Sequence, residues 1–483
     1  MREKPHARFE RGILETGGDG SYRAKILPMR SLFLLLFCLA FCGAEEWNRF
    51  RGPNGSGVSK DKNFPATLSM EKNMLWRSGA RPGKSSPVLT ARHVFLTGAE
   101  DGKLYVQCFD RKTGKLAWER VVEQPHKEVV NTLNHEAAIT PVTDGENVYA
   151  FFKDFGLVSY DSAGKQRWKT PLGPFTNTMG IGASPILAGD SVIVTIDQMD
   201  DSYIAAIDKR NGEIHWKTAR EETDAWGTAL NYGKEVLTVS RGLLGVHSVV
   251  DGKRVMSHRG IPTAIVASPV LSGDTVILLG YGSEEPAPFA SRLAKLDKNQ
   301  DGKLTADEYG TDAFLLGIAK YEGNRDGVIT QEKWDAKQRQ VLGPNAMMAV
   351  RLERDAKGAL AVRELWRYEK SFTGVIPSVL KYEDVVYSVK NGGILTSLDA
   401  TTGKVIKTSR VEGALGGYSS SPVAADGKLY LSSEDGIMAV LKAGGEWQVI
   451  SIVDFGEPIF ATPALSEGAV FVRTGEALYR FGR

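Results

Sequence analysis

The chain has 483 residues, with 60 Lys and Arg against 58 Asp and Glu and a formal net charge of +2. That balance excludes the basic footprint of a nucleic-acid-binding protein. The length exceeds one ordinary domain but suits a large β-architecture, and 52 glycines point to many tight turns between short strands.

Residues 1–28 are polar and unpatterned. Met29–Ala44 carries one positive charge, an apolar core and a small-residue end, the pattern of a secretory signal. Translation is expected to start at Met29, making 1–28 an extension, with cleavage after Ala44. Lipid attachment at Cys42 is the lesser alternative, because Phe41 is bulky for a lipobox. The apolar run falls short of the roughly 20 residues a membrane span needs. The reading is therefore an exported mature chain without a transmembrane span, whether periplasmic, cell-surface or secreted. Its one remaining cysteine, Cys108, lies in a predicted strand and reads as buried filler.

Residues 45–73 form a lead-in, irregular from Trp47 to Val58. A repeat then begins. Its signature is a small residue, Pro and apolar residues: Ser86-Pro87-Val88, Thr140-Pro141-Val142, Ser184-Pro185-Ile186, Ser268-Pro269-Val270, Ile376-Pro377-Ser378, Ser421-Pro422-Val423 and Thr462-Pro463-Ala464. Thr228-Ala229-Leu230 fills the gap with Ala in the Pro slot. Most steps are about 40–45 residues, the period of a four-stranded propeller blade. Each unit continues with a second strand, a third ending in an acidic residue, and a fourth that often carries Trp: Trp118, Trp168, Trp216 and Trp366. These tryptophans are expected to fill the gaps between blades. The last unit supplies three strands, and the orphan strand around Trp76 is expected to complete it and close the ring. The fold read from the sequence is all-β: an about eight-bladed β-propeller of four-stranded antiparallel blades closed by an N-terminal strand. Blades occupy 74–282 and 347–483, and a small α-helical insertion occupies 283–346.

That insertion carries the clearest chemistry. Asp297, Asn299 and Asp301 stand at positions one, three and five of a twelve-residue loop, with Gly302 at the sharp turn. Lys303 would offer its carbonyl, Thr305 a hydroxyl or bridging water, and Glu308 a bidentate carboxylate. This is a complete EF-hand pattern for Ca²⁺. A second loop runs from Glu322 to Lys333, with Asn324, Asp326 and Val328 at positions three, five and seven. Its twelfth position is Lys333, which cannot be a bidentate ligand, so this loop reads as a weak site or a structural partner. Leu304 and Ile329 share position eight, where paired loops meet. The insertion separates two strands of one blade on the face where blade-to-blade connections ring the funnel.

Other candidates lie in those connections. His135, in Asn134-His135-Glu136, is a conceivable base or metal ligand, or simply a hydrogen-bonded loop group. Trp226, Phe372, Tyr418 and Phe460 would rim the funnel for ligand binding or pack beneath their loops. Asp197, Asp200 and Asp201 read as a solvated acidic turn, with a second Ca²⁺ site as the alternative. No catalytic residue is assigned.

The units with Ser-Ser-Pro-Val, Leu-Tyr-Val and Asp110-Arg-Lys-Thr-Gly-Lys-Leu-Ala-Trp118 resemble the PQQ-like β-propeller repeat family, which includes quinoprotein alcohol dehydrogenases and the BamB barrel-assembly scaffold. The resemblance covers about Trp47 to Arg483 without the insertion. It implies fold more than function. PQQ-using members carry an adjacent Cys-Cys pair and a catalytic Asp near Ca²⁺. This chain has no such pair, so PQQ is not expected and the EF-hand Ca²⁺ is the expected cofactor. The reading is a monomeric scaffold for a protein or glycan partner at the funnel face. A quinoprotein-like oxidoreductase or a carbohydrate-active enzyme is the alternative.

Overall fold

Short glycine-punctuated apolar segments can bury their backbones only by pairing with one another, and this chain does so eight times. A computed structural model describes residues 47–125, 134–177, 179–223, 225–263, 266–282, 285–370, 372 and 375–483. The extension, signal and cleavage readings lie outside the described residues. Eight four-stranded antiparallel sheets form the blades, one of them with a fifth strand. Blade 1 shows the pattern: Val88–Leu89, His93–Glu100, Lys103–Asp110 and Leu116–Val122, from the axis outward. Blade 8 takes Ala464–Ser466, Ala469–Arg473 and Ala477–Phe481 from the end of the chain, and Met74–Gly79 from its beginning. Gly79 pairs with Ala477 and Met74 with Phe481, so the ring is closed as expected and no blade edge is left where the two ends meet.

The tryptophans bind blade to blade. The outer pair of strands in every blade has a one-residue bulge immediately before the Trp position. Such a bulge sharpens the local twist. In five blades the following residue is Trp, and its indole lies on the glycine of the next blade's outer turn. Trp76 covers Gly114, Trp118 Gly164, Trp168 Gly212, Trp216 Gly252 and Trp366 Gly403. The indole N–H donates to a carbonyl of the same turn, as from Trp168 to Lys209 at 3.0 Å and from Trp366 to Ala400 at 2.9 Å. Met256, Lys407 and Ser451 hold this place in the other three blades, which is why only five were visible as Trp.

The lead-in is more than an irregular approach. Its carbonyls accept from inner-strand amides of blades 1, 2 and 7: Trp47 from Leu89, Asn48 from Thr143 and Gly57 from Ala424. Arg49 donates to the Ala229 carbonyl of blade 4 at 2.5 Å, and Arg51 to the Val379 carbonyl of blade 6 at 2.7 Å. Val58–Ser59 then pairs in parallel with the inner strand of blade 7. A segment bonded to five inner strands around the ring must cross the axis, so Trp47–Ser59 plugs the central channel. Trp47 and Arg51 are wholly buried.

Among the described residues the insertion contains four short helices: α1 (Ala290–Leu296), α2 (Ala306–Tyr309), α3 (Ala313–Tyr321) and α4 (Gln331–Val341). It joins Thr275–Gly280 to Ala346–Arg354 in blade 5, as read from the sequence. Phe289, Leu304, Leu315, Ile318, Ile329 and Trp334 form its own small core. Among the described residues no helix is long and apolar enough to cross a membrane.

Candidate functional site

The inner end of each blade begins with a Ser or Thr two residues before the first strand. These eight hydroxyls form one closed belt. Each accepts the backbone N–H of its counterpart in the preceding blade: Thr140 from Ser86, Ser184 from Thr140, Thr228 from Ser184, Ser268 from Thr228, Ser378 from Ser268, Ser421 from Ser378, Thr462 from Ser421 and Ser86 from Thr462, all at 2.9–3.1 Å. The belt corrects one alignment. In blade 6 the hydroxyl is Ser378, so Val379 occupies the Pro slot and Pro377 stands ahead of it. The spacing of the hydroxyl, not of the proline, is what the ring requires.

The belt is the wall of a cavity of about 340 Å³ on the funnel face. Phe50 of the plug contributes to it from below, so the cavity is a cup and not a tunnel. Trp226, Phe460, Met179 and Tyr281 add apolar surface, and Asn134 and Lys84 add polar groups. The positions are fixed from beneath: Trp226 donates to the Gly180 carbonyl at 3.0 Å, and the Lys84 ammonium sits 4.3 Å from the centre of the Phe460 ring. Burial lowers the Lys84 pKa. Ser419, another lining residue, hydrogen-bonds Glu434.

The five funnel candidates therefore separate. Trp226 and Phe460 line the cup. Phe372 and Tyr418 do not rim it: Phe372 is packed in the core between blades 5 and 6, and Tyr418 is buried with its hydroxyl on the Ala414 carbonyl at 2.7 Å. His135 accepts the Ala137 amide at Nδ1, 3.0 Å away. Burial, reinforced by nearby Arg473, lowers its pKa, so the ring is neutral. The residues that sequence reasoning missed, Phe50, Lys84 and the belt, had a signal only in the fixed spacing of Ser and Thr.

The acidic turn of blade 3 is also corrected. Asp197 is not solvated: it is buried and accepts from Nε and Nη2 of Arg220, at 2.6 and 3.1 Å. Asp200 instead pairs with Arg325 of the insertion at 2.5 Å. This contact, and the flank of Tyr281 on the cup, place the insertion beside the mouth.

The two loops of the insertion share one backbone path. Leu304 and Ile329 exchange both amide hydrogen bonds, at 3.0 and 2.9 Å. Position four has positive φ in each (Gln300, 60°; Arg325, 57°), and position six is glycine at 77° in each. In the first loop Asp297 accepts the amides of Asp301 and Gly302, and Asp301 that of Lys303. Glu308 holds the amides of Lys298 and Thr305, each at 2.9 Å, and these bonds keep its pKa low. Its carboxylate is thus turned to the backbone, and among the described residues no three His, Cys, Asp or Glu side chains converge as metal ligands. The loop path and the oxygen donors suit a hard cation; the carboxylates would have to rotate inward to meet it.

The fold and cup define a class: an eight-bladed β-propeller with a blind axial cup and a helical insertion at its rim. Its repeats are similar to those of PQQ-like, BamB-like propellers. The family model described as outer membrane protein assembly factor BamB matches residues 70–199 and 356–449, on both sides of the insertion. The chain is 26% identical over 221 residues to outer membrane protein assembly factor BamB of Moranella endobia strain PCIT. That match covers 45% of this chain and 52% of the relative, so the chain spans about half the relative's length. Among solved structures, BamB from Moraxella catarrhalis superposes with a TM-score of 0.55 at 13% identity, covering 84% of this chain and 99% of that one. A europium-containing methanol dehydrogenase superposes with a TM-score of 0.56 at 13% identity, covering 91% and 99%. At such identity these two likenesses speak for the fold.

Proposed function

We propose that this protein is an exported binding scaffold whose cup receives a segment of a protein partner, and whose insertion holds Ca²⁺ in its first loop. The observation that carries the scaffold reading is the cup itself: apolar aromatics stand over a wall whose hydroxyls are already engaged in holding the blades together. Such a surface offers shape and apolar contact, with a few polar groups such as Asn134 and Lys84 to fix orientation. The similarity to a protein named as an assembly factor supports the same reading. PQQ fits poorly, because the chain beyond the signal has a single cysteine, Cys108, buried in blade 1.

Calcium would be held by side-chain oxygens of Asp297, Asn299, Asp301 and Glu308, the Lys303 carbonyl, and Thr305 directly or through water. It would supply a fixed positive charge that ties α1 to α2 beside the cup mouth. Because extracellular Ca²⁺ is plentiful, the site is read as constitutive and structural.

A photo-crosslinking residue replacing Trp226 tests the scaffold. A protein adduct formed at Trp226, and not at exposed Val121 on the outer strand of blade 1, is expected. Equal labelling at both positions, glycan binding without protein adducts, or micromolar binding of PQQ by calorimetry would overturn it. For the metal, Glu308→Gln should abolish the calorimetric signal of Ca²⁺ on the stripped protein; an unchanged isotherm would reject the site.

A further inference from the structure

The second loop of the insertion has the backbone of a cation-binding loop and an unusual occupant. Lys333, at position twelve, is 7% exposed at its side chain, and its ammonium reaches back into the loop. Nζ donates to Asp326 Oδ1 at 2.5 Å and to the Val328 carbonyl at 2.8 Å. These are the oxygens at positions five and seven, two that would face a bound cation in the pattern of the first loop. The stem of Lys333 packs against Gly323 at position two. One turn along α4, Lys337 lies on the same face and approaches Glu322, the position-one carboxylate, at 3.6 Å. Asn324 and Asp326 meanwhile hydrogen-bond each other as Asn299 and Asp301 do in the first loop.

We infer that the second loop is held in its metal-bound shape by tethered cations: Lys333, supported by Lys337, replaces Ca²⁺ among the oxygens of Asp326, Val328 and Glu322. An ammonium is compact and has three donors, so it can satisfy several converging oxygens as a point charge without binding cost in a second component. The consequence is an asymmetric module. One loop is available to Ca²⁺; the other is refractory to it, yet keeps the shape that the shared Leu304–Ile329 bridge and the Arg325–Asp200 contact need. This inference extends the calcium reading of the first loop, and the test separates the two.

The metal-stripped chain is titrated with Ca²⁺ by calorimetry as wild type, as Glu308→Gln, and as Glu308→Gln combined with Lys333→Glu. The expected stoichiometries are one, none and one, the regained site being the weaker because Lys337 still engages Glu322. A Ca²⁺ ion retained by Glu308→Gln, or none regained in a folded double variant, overturns the inference. Wild type binding none while the double variant binds one would reject calcium in the first loop and leave the tethered cation standing. Should the double variant fail to fold, Lys333→Met decides. It keeps the packed stem and removes the charge, so amide exchange across residues 322–330 should accelerate; unchanged exchange would show that the stem alone matters and overturn the inference.

Discussion

The hydroxyl belt makes a quantitative demand on stability. Thr228 is buried, and its hydroxyl accepts the Ser184 amide at 3.0 Å. Thr228→Val keeps the shape of the side chain, so little cavity is created, and the loss falls on the hydrogen bond. The Ser184 N–H is then left in the interior without its acceptor, at a cost of about 1–3 kcal/mol. Unfolding entropy of about 2.1 cal/mol/K per residue gives about 0.9 kcal/mol per kelvin for roughly 440 residues. The melting temperature should therefore fall by about 1–3 °C, measured by differential scanning calorimetry. Thr462→Val removes the acceptor of the Ser421 amide on another part of the ring. With no partner shared, the double variant should show the sum of the two losses to within about 0.5 kcal/mol. Losses below about 0.3 kcal/mol in both single variants would refute the claim that the belt holds the blades.

Two further perturbations probe the seams between blades. His247 is wholly buried beside Arg220, with Nη1 to Nε2 at 3.3 Å, and burial followed by that positive charge lowers its pKa to about 4. The unfolded chain takes up this proton near pH 6.5, the native protein only near 4, so stability is full above about pH 6.5 and is lost as pH falls toward 4. The loss approaches about 3 kcal/mol, and His247→Gln should flatten that part of the stability–pH curve; an unchanged slope would show that the ring does not titrate there. Gly252→Ala drives a Cβ into the Trp216 ring at φ +70°, whereas Gly233→Ala has the same strain at φ +62° with nothing nearby. The first should cost about 1–3 kcal/mol more than the second; equal costs would reject indole docking as the seam.

Much of this architecture was legible because it repeats. Eight copies of one strand pattern reveal a period even when single copies are weak, and the orphan strand at Trp76 completes a blade that lacked only that element. The docking tryptophans announced themselves in five copies, since a large ring at a constant offset has one economical place to go. What stayed hidden depended on contacts distant in sequence. Pro377 suggested the wrong inner-strand alignment because proline is conspicuous and the hydroxyl of Ser378 is not. Phe372 and Tyr418 lie in connections, where exposure is the natural expectation, yet neighbouring blades leave gaps that an aromatic ring fills. Asp197 reads as a turn carboxylate until Arg220, 23 residues away, is folded against it. In the insertion, Lys333 marked the second loop as a weak site or a structural partner, but where its ammonium goes required the geometry of α4.

The lead-in gives the molecule a direction. Arg49 and Arg51 are fully buried in the channel, and burial lowers the pKa of each guanidinium to about 9, so both stay charged at neutral pH. Their described acceptors include the carbonyls of Ala229 and Val379 on the inner strands. Placing charge there is costly, and the segment stays because it is anchored at many points: amides of blades 1, 2 and 7 donate to it, and its last residues join the sheet of blade 7. A plug held in this way shuts one end of the axis. Whatever enters the cup must come from the other face, past Trp226 and Phe460 and beside Tyr281, where the insertion leaves blade 5. The insertion reaches from there to Asp200 of blade 3. Its placement beside the open mouth is thus set at two points, by its chain connections to blade 5 and by the pair of Arg325 in its second loop with Asp200.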